Sequence, residues 1–106
     1  MNANRDADRW GALADGTRLA IVARLADGPQ AVGQLAAGLP VSRSAVSQHL
    51  KILKDAGLVE DVAAGTRRIY RLNPAALAAL RDQLDTYWQR ALARYADVAQ
   101  APEEED

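Results

Sequence analysis

Residues 41–70 read VSRSAVSQHLKILKDAGLVEDVAAGTRRIY, from Val41 to Tyr70, and hold two periodicities in succession. At a helical repeat, Val46, Leu50, Leu53 and Gly57 share one side, while Ser44, Ser47, Gln48, Lys51 and Asp55 project from the other. Ser42 is placed to cap this helix, its hydroxyl accepting a first-turn N–H, with Val41 and Val46 forming a hydrophobic staple. The outer face is short, polar and rich in hydrogen-bond donors. From Leu58 the repeat falls to two: Leu58 to Val62 and Arg67 to Leu72 are β-compatible runs flanking Ala63-Ala64-Gly65-Thr66, where the glycine can take positive φ. Arg67, Ile69 and Arg71 then share one face of the second run, and Arg68, Tyr70 and Leu72 the other.

Upstream, Ala31 to Leu39 has apolar residues at Val32, Leu35 and Ala36, ends at Gly38, and meets Pro40 as a stop signal. Two short helices therefore meet across a tight turn, and a basic hairpin follows. That order is the layout of a winged helix-turn-helix. The expected fold is mainly α with a small β-hairpin, in the order α-α-α-α-β-β-α. A polar outer face alone is what any surface helix shows. The neighbouring helix and the arginine-bearing wing shift the reading towards DNA. Gln48 can bond an adenine edge through two hydrogen bonds, serines can meet bases or phosphates, and Arg43 and Lys51 can meet guanine or backbone oxygens.

The pattern resembles the ArsR (arsenic-repressor-like) family of small bacterial winged-helix transcription regulators. The matching pieces are ALADGTRLAIVARLADG at Ala12 to Gly28, QLA at Gln34 to Ala36, SAVSQHLKILKDAGLV at Ser44 to Val59, and GTRRIYRLNP at Gly65 to Pro74. Each alone is moderately specific, and in this order and spacing they are strong. The resemblance implies that Ser44, Ser47, Gln48 and Lys51 face the groove and that Arg67 and Arg68 hold the backbone from the wing. Ser42, Arg43 and Thr66 complete the DNA-binding set, and His49 is counted with them, although at the flank of the apolar stripe packing or hydrogen bonding is the stronger reading for it. The family often has proline after the aspartate that opens its second helix, where this chain has Asp15-Gly16-Thr17. That start is expected to be looser by up to ~1 kcal/mol.

A chain of 106 residues, about half of them apolar, fits one domain with a modest core that gains from association. The expected organisation is a flexible N-terminus at 1–8, a DNA-binding and dimerisation domain at 9–99, and a disordered acidic tail at 100–106. The formal charge of −1 looks wrong for a nucleic-acid binder until its distribution is read. Four acids stand in Glu103-Glu104-Glu105-Asp106, which leaves 13 basic against 10 acidic residues before them. From Ser42 to Leu72 the balance is six basic to three acidic, which allows a few phosphate contacts and moderate non-specific affinity. There is no long apolar run and no charged-then-apolar leader, so a cytoplasmic protein without a membrane partner is expected.

From Pro74 a long helix runs towards Ala99 with Leu77, Leu80, Leu84, Trp88, Ala91 and Tyr95 on one stripe and Tyr87 and Leu92 beside it. This stripe either closes the monomer's own core or joins two copies. The resemblance implies the second: the last helix pairs with the first across a twofold axis. Trp10, Leu13, Leu77, Leu80, Leu84, Tyr87, Trp88, Ala91 and Tyr95 would then form a homodimer interface. Twofold symmetry sets recognition helices roughly 34 Å apart, matching a palindromic double-stranded operator.

Metal sensing finds no support in the residues. Soft-metal sites need thiolates and the chain has no cysteine, while the last helix offers Asp82, Asp85 and Asp97 without a histidine. No cofactor is implied. An enzyme fits no better, because Ser47 and His49, two apart on a helix, point in different directions and no phosphate-cradling glycine loop is present. Aromatic residues could line a pocket for a small-molecule effector between the last helix and the body, although interface packing explains them without one. The expected function is a homodimeric repressor, and the alternative is a winged-helix protein-interaction module that does not read DNA.

Overall fold

Ser42 caps the central helix as the chain order requires: its Oγ accepts the Ala45 N–H at 3.0 Å. The helix that follows, α4 (Arg43–Asp55), buries Val46, Leu50 and Leu53 completely. In the computed structural model, which describes residues 2–100, the other elements pack around that stripe. They are α1 (Asn2–Ala12), α2 (Gly16–Leu25), β1 (Gln30–Ala31), α3 (Val32–Ala37), β2 (Val59–Ala64), β3 (Arg67–Leu72) and α5 (Pro74–Gln100). Ile21 and Leu25 of α2, Leu35 of α3, Leu58, Val59 and the α5 residues Ala76 and Leu80 complete one core.

The end of α4 is built by Gly57 at φ 81°. Its N–H bonds the Lys54 carbonyl at 2.9 Å and the Leu58 N–H bonds the Leu53 carbonyl at 2.9 Å. This pair of bonds is a Schellman termination, and the leucines that flank it, Leu53 and Leu58, are both fully buried. Gly57 therefore leaves the helix rather than extending its apolar face. Asn73 ties the next junction: its N–H bonds the Leu58 carbonyl at 2.8 Å, its Nδ2 bonds the Gly57 carbonyl at 3.0 Å, and its Oδ1 accepts the Ala75 N–H at 3.1 Å. Asn73 thus caps α5 and pins its start to the end of α4, with Pro74 at the first helical position.

Two points correct the expectation from sequence. The sheet has three antiparallel strands in the order β1-β3-β2, because Gln30 and Ala31 pair with Tyr70 and Ile69. A two-residue strand defined only by a distant partner leaves no local periodicity to read. Next, the wing turn is Gly65-Thr66 alone, since Ala63 and Ala64 still pair with Arg68 and Arg67. Gly65 at φ 66° suits the first central position of a two-residue hairpin turn. Helix α1 begins at Asn2, within the segment 1–8. Its stretch from Asn2 to Trp10 carries alanines and arginines with no glycine or proline to stop the helix. Of the expected acidic tail, Gln100 closes α5 and residues 101–106 lie outside the described residues.

Helix α2 starts at Gly16 despite lacking proline there. Asp15 accepts the Arg18 N–H at 3.0 Å, and Arg18 Nε bonds the Ala12 carbonyl at 2.7 Å, so side chains close this turn. Along α5, Leu80 is buried in this chain's own core, which leaves it little surface for the expected interface between copies, while Leu77 packs against that core and stays partly exposed. Beyond them the helix leaves the body. Leu84, Tyr87, Trp88, Leu92, Tyr95 and Val98 are all exposed, and the molecule stretches to 71 Å along its longest axis. Leu13 also packs against the core, while Trp10 is at the surface with its Nε1 donating to Gln83 Oε1 of α5.

Leu50→Ala is expected to cost about 2–5 kcal/mol because the cavity opens where α2, α3 and α4 meet. Urea denaturation at fixed protein concentration measures it, and a cost below about 1 kcal/mol would contradict this packing.

Candidate nucleic-acid interface

The buried stripe of α4 fixes which side chains it offers outward. Ser44, Ser47, Gln48 and Lys51 are exposed, as are Ser42 and Arg43 at the start of the helix. Ser42 keeps its hydroxyl oxygen engaged as the cap and retains a hydroxyl proton to donate. Beside α4 stands the wing, with Thr66 at its tip and exposed arginines at 67 and 68. A groove of about 610 Å³ separates the two, lined by Gln34, Arg43, Ser47, Thr66, Arg67 and Arg68 among others. Arg43 and Ser47 of the helix and Thr66, Arg67 and Arg68 of the wing therefore line one polar, cationic groove.

His49 does not belong to that face. Its ring is turned back towards α2 at 22% side-chain exposure, with Nδ1 at 3.2 Å from Arg18 Nη1 and 4.0 Å from Asp15 Oδ2. The residue buttresses the start of α2, which is the packing and hydrogen-bonding role expected for a residue at the flank of the apolar stripe, one residue before Leu50.

Most basic residues of the face are already paired. Lys51 Nζ lies 2.9 Å from Asp55, Arg71 Nη2 lies 2.8 Å from Glu60, and Asp61 takes both Lys54 Nζ at 2.8 Å and Arg68 Nε at 2.5 Å. Exposed pairs of this kind stabilise a fold little, about 0–1 kcal/mol each, but they direct the side chains. Arg67 is positioned differently, its Nη2 donating to Gln34 Oε1 at 3.4 Å while that oxygen also accepts the Ala31 N–H at 2.7 Å. Arg43 carries no ion pair among the described residues. The partners Gln34 and Asp61 were not singled out in the sequence, because each is defined by a contact across the wing. A two-residue turn at Gly65-Thr66 would have paired Asp61 with Tyr70 and brought it diagonal to Arg68.

Two carboxylates of this region titrate low. The Lys54 ammonium and then the Arg68 guanidinium hold Asp61 below its ordinary value of 3.8. The Arg18 backbone N–H does the same for Asp15, more strongly than the nearby Arg18 and His49 charges. Asp61 in return raises the Arg68 guanidinium. Among the described residues there is no group of three or more histidines, cysteines or carboxylates placed to hold a metal ion, and no helix long and apolar enough to cross a membrane.

A capped recognition helix, a preceding helix across a short turn and an arginine-bearing hairpin define a winged helix-turn-helix DNA reader. Comparison with known proteins agrees. The profile of the bacterial regulatory protein, arsR family, matches residues 15–61. The HTH-type transcriptional regulator Rv2034 of Mycobacterium tuberculosis is 65% identical over 99 residues, 92% of each chain. An ArsR-like transcriptional regulator from Rhodococcus sp. RHA1 superposes with a TM-score of 0.76 at 34% identity, over 95% of this chain and 98% of the other. A homodimeric winged helix-turn-helix DNA-binding domain from Mycobacterium bovis does so at 0.66 and 30% identity, over 95% and 90%. The chain belongs to the ArsR family of bacterial regulatory proteins, and it is a DNA-binding transcriptional regulator.

A carboxylate whose folded pKa is lowered stabilises the fold fully above its unfolded value, and that contribution is lost as pH falls through the folded one. Asp15 and Asp61 should therefore contribute fully at neutral pH and lose that contribution as pH falls past about 3.8 and through their lower folded values. Thermal denaturation across pH should show a shallower acid-side fall for Asp15→Asn combined with Asp61→Asn than for the parent chain. An identical fall would contradict the two assignments.

Proposed function

We propose that the chain acts as a homodimeric repressor in the bacterial cytoplasm, binding a palindromic operator and blocking a promoter that overlaps it, without a metal. The observation that carries this reading is the split of α4: Val46, Leu50 and Leu53 are buried completely while Ser44, Ser47, Gln48 and Lys51 stand exposed beside the wing. A helix anchored so firmly on one side presents the other at a defined angle, as insertion into a major groove requires. Ser44, Ser47 and Gln48 read base edges in this proposal. Arg43, Lys51, Thr66, Arg67 and Arg68 hold phosphates.

The second anchor comes from a second copy. Leu84, Tyr87, Trp88, Tyr95 and the flanking Leu92 and Val98 form an exposed apolar row on α5. A row of this size on a small chain fits burial against another protein surface. The M. bovis domain, similar over nearly the whole length, is homodimeric. Trp10, beside Gln83, and the half-buried Ala91 extend that surface. Docking of proteins by the α4 face is disfavoured by its chemistry, since protein-binding surfaces centre on aromatic or aliphatic anchors and this one exposes serines, glutamine and cations.

Fragments selected from genomic DNA by the purified protein identify the operator, and fluorescence anisotropy across salt measures its recognition. Binding to the selected site well above scrambled DNA is expected, and equal binding to both would refute the reading. Gln48→Ala should relax the preference at one position in each half-site, about 1–3 kcal/mol of discrimination. Arg67→Ala should instead weaken binding to every sequence and lower the salt slope by about one for each phosphate that is no longer neutralised. Equal weakening on selected and scrambled DNA for Gln48→Ala would remove it from base reading. Trp88→Ala should shift sedimentation towards monomer and weaken operator binding with the DNA face intact. A fully dimeric variant would move the interface elsewhere.

A further inference from the structure

Asp61 takes two cations, and it joins three elements. Its Oδ1 holds Lys54 Nζ from the last turn of α4 at 2.8 Å, and its Oδ2 holds Arg68 Nε from β3 at 2.5 Å. Only 4% of the Asp61 side chain is exposed, against 57% for Arg68 and 50% for Lys54. The acid lies beneath its partners, and they form the surface. The arginine is held through Nε alone, its single hydrogen bond among the described residues, so Nη1 and Nη2 remain for an incoming anion. A guanidinium gripped from behind in this way keeps its fork aimed outward, with less rotamer freedom to give up on binding.

We propose that Asp61 is a positioning residue for DNA binding: it orients Arg68 for a two-pronged phosphate contact and locks the wing to the end of the recognition helix. The inference rests on the DNA-binding reading above. It runs against simple electrostatics, in which removing a negative charge from a DNA face strengthens binding. Here the same change frees Arg68 to wander and uncouples the wing from α4. Lysine at position 68 would keep the charge without the fork, so it could not bond Asp61 and chelate a phosphate at once.

The test is anisotropy of the full-length protein on its selected operator and on scrambled DNA across salt, with dimer content and melting recorded for each variant. Asp61→Asn is expected to weaken binding to both DNAs by roughly tenfold near 0.15 M salt, with a salt slope lower by about 0.9 for each phosphate released from the wing. Combined with Arg68→Ala, it should add little to the weakening that Arg68→Ala causes alone, whereas a purely scaffolding acid would give additive effects. Arg68→Lys leaves the acid in place and should weaken binding nearly as much as Arg68→Ala. Tighter binding by Asp61→Asn, additive effects, or parent-like binding by Arg68→Lys would each overturn the proposal. Failure of the parent protein to prefer its operator would instead overturn the DNA-binding reading.

Discussion

The packing of Val46, Leu50 and Leu53 into the pocket formed by α2, α3 and Leu58 is the constraint on which the other features rest. A helix of 13 residues is marginal alone, and tertiary burial of its apolar face is what holds it. Once that face is committed, the outward direction of Ser44, Ser47, Gln48 and Lys51 follows from the helical repeat. The same burial sets the boundaries of α4. Ser42 closes one end by capping, and Gly57 closes the other by adopting a conformation that a residue with a Cβ resists.

Charge on this face is organised more than it is abundant. Lys51, Lys54, Arg68 and Arg71 each have a carboxylate partner within the chain, and the residues assigned to base edges are uncharged. In the proposed reading the phosphates are held by cations that carboxylates of the chain orient, and the modest net positive charge of the face limits non-specific affinity. It also makes a second copy more valuable, because two modest half-sites joined rigidly gain by effective concentration what neither has alone.

Elements defined by local signals were legible in the sequence. Ser42 with Val41 and Val46, the wing strand from Arg67 to Leu72 and the start of α5 at Pro74 all stand where the residue pattern puts them. What escaped is long-range. Strand β1 exists because Tyr70 and Ile69 pair with it, Asn73 matters because Gly57 and Leu58 lie within its reach, and Asp61 gains its role from a register set by the two-residue turn. His49 sits at the edge of an apolar stripe, where a wheel projection leaves both directions open, and Arg18 and Asp15 draw its ring towards α2. Leu77 and Leu80 teach the same lesson on α5, where one continuous stripe serves the monomer core first and becomes free surface only from Leu84.

Paired α4 helices entering successive major grooves of one duplex are the geometry that the proposed operator recognition calls for. Methylation interference on the selected operator probes guanine N7 in the major groove and so reports that geometry where it occurs. Two symmetric clusters of interference are expected, with centres one helical turn apart, about 10 base pairs, or a whole multiple of it. A single cluster, or interference confined to the minor groove, would contradict it.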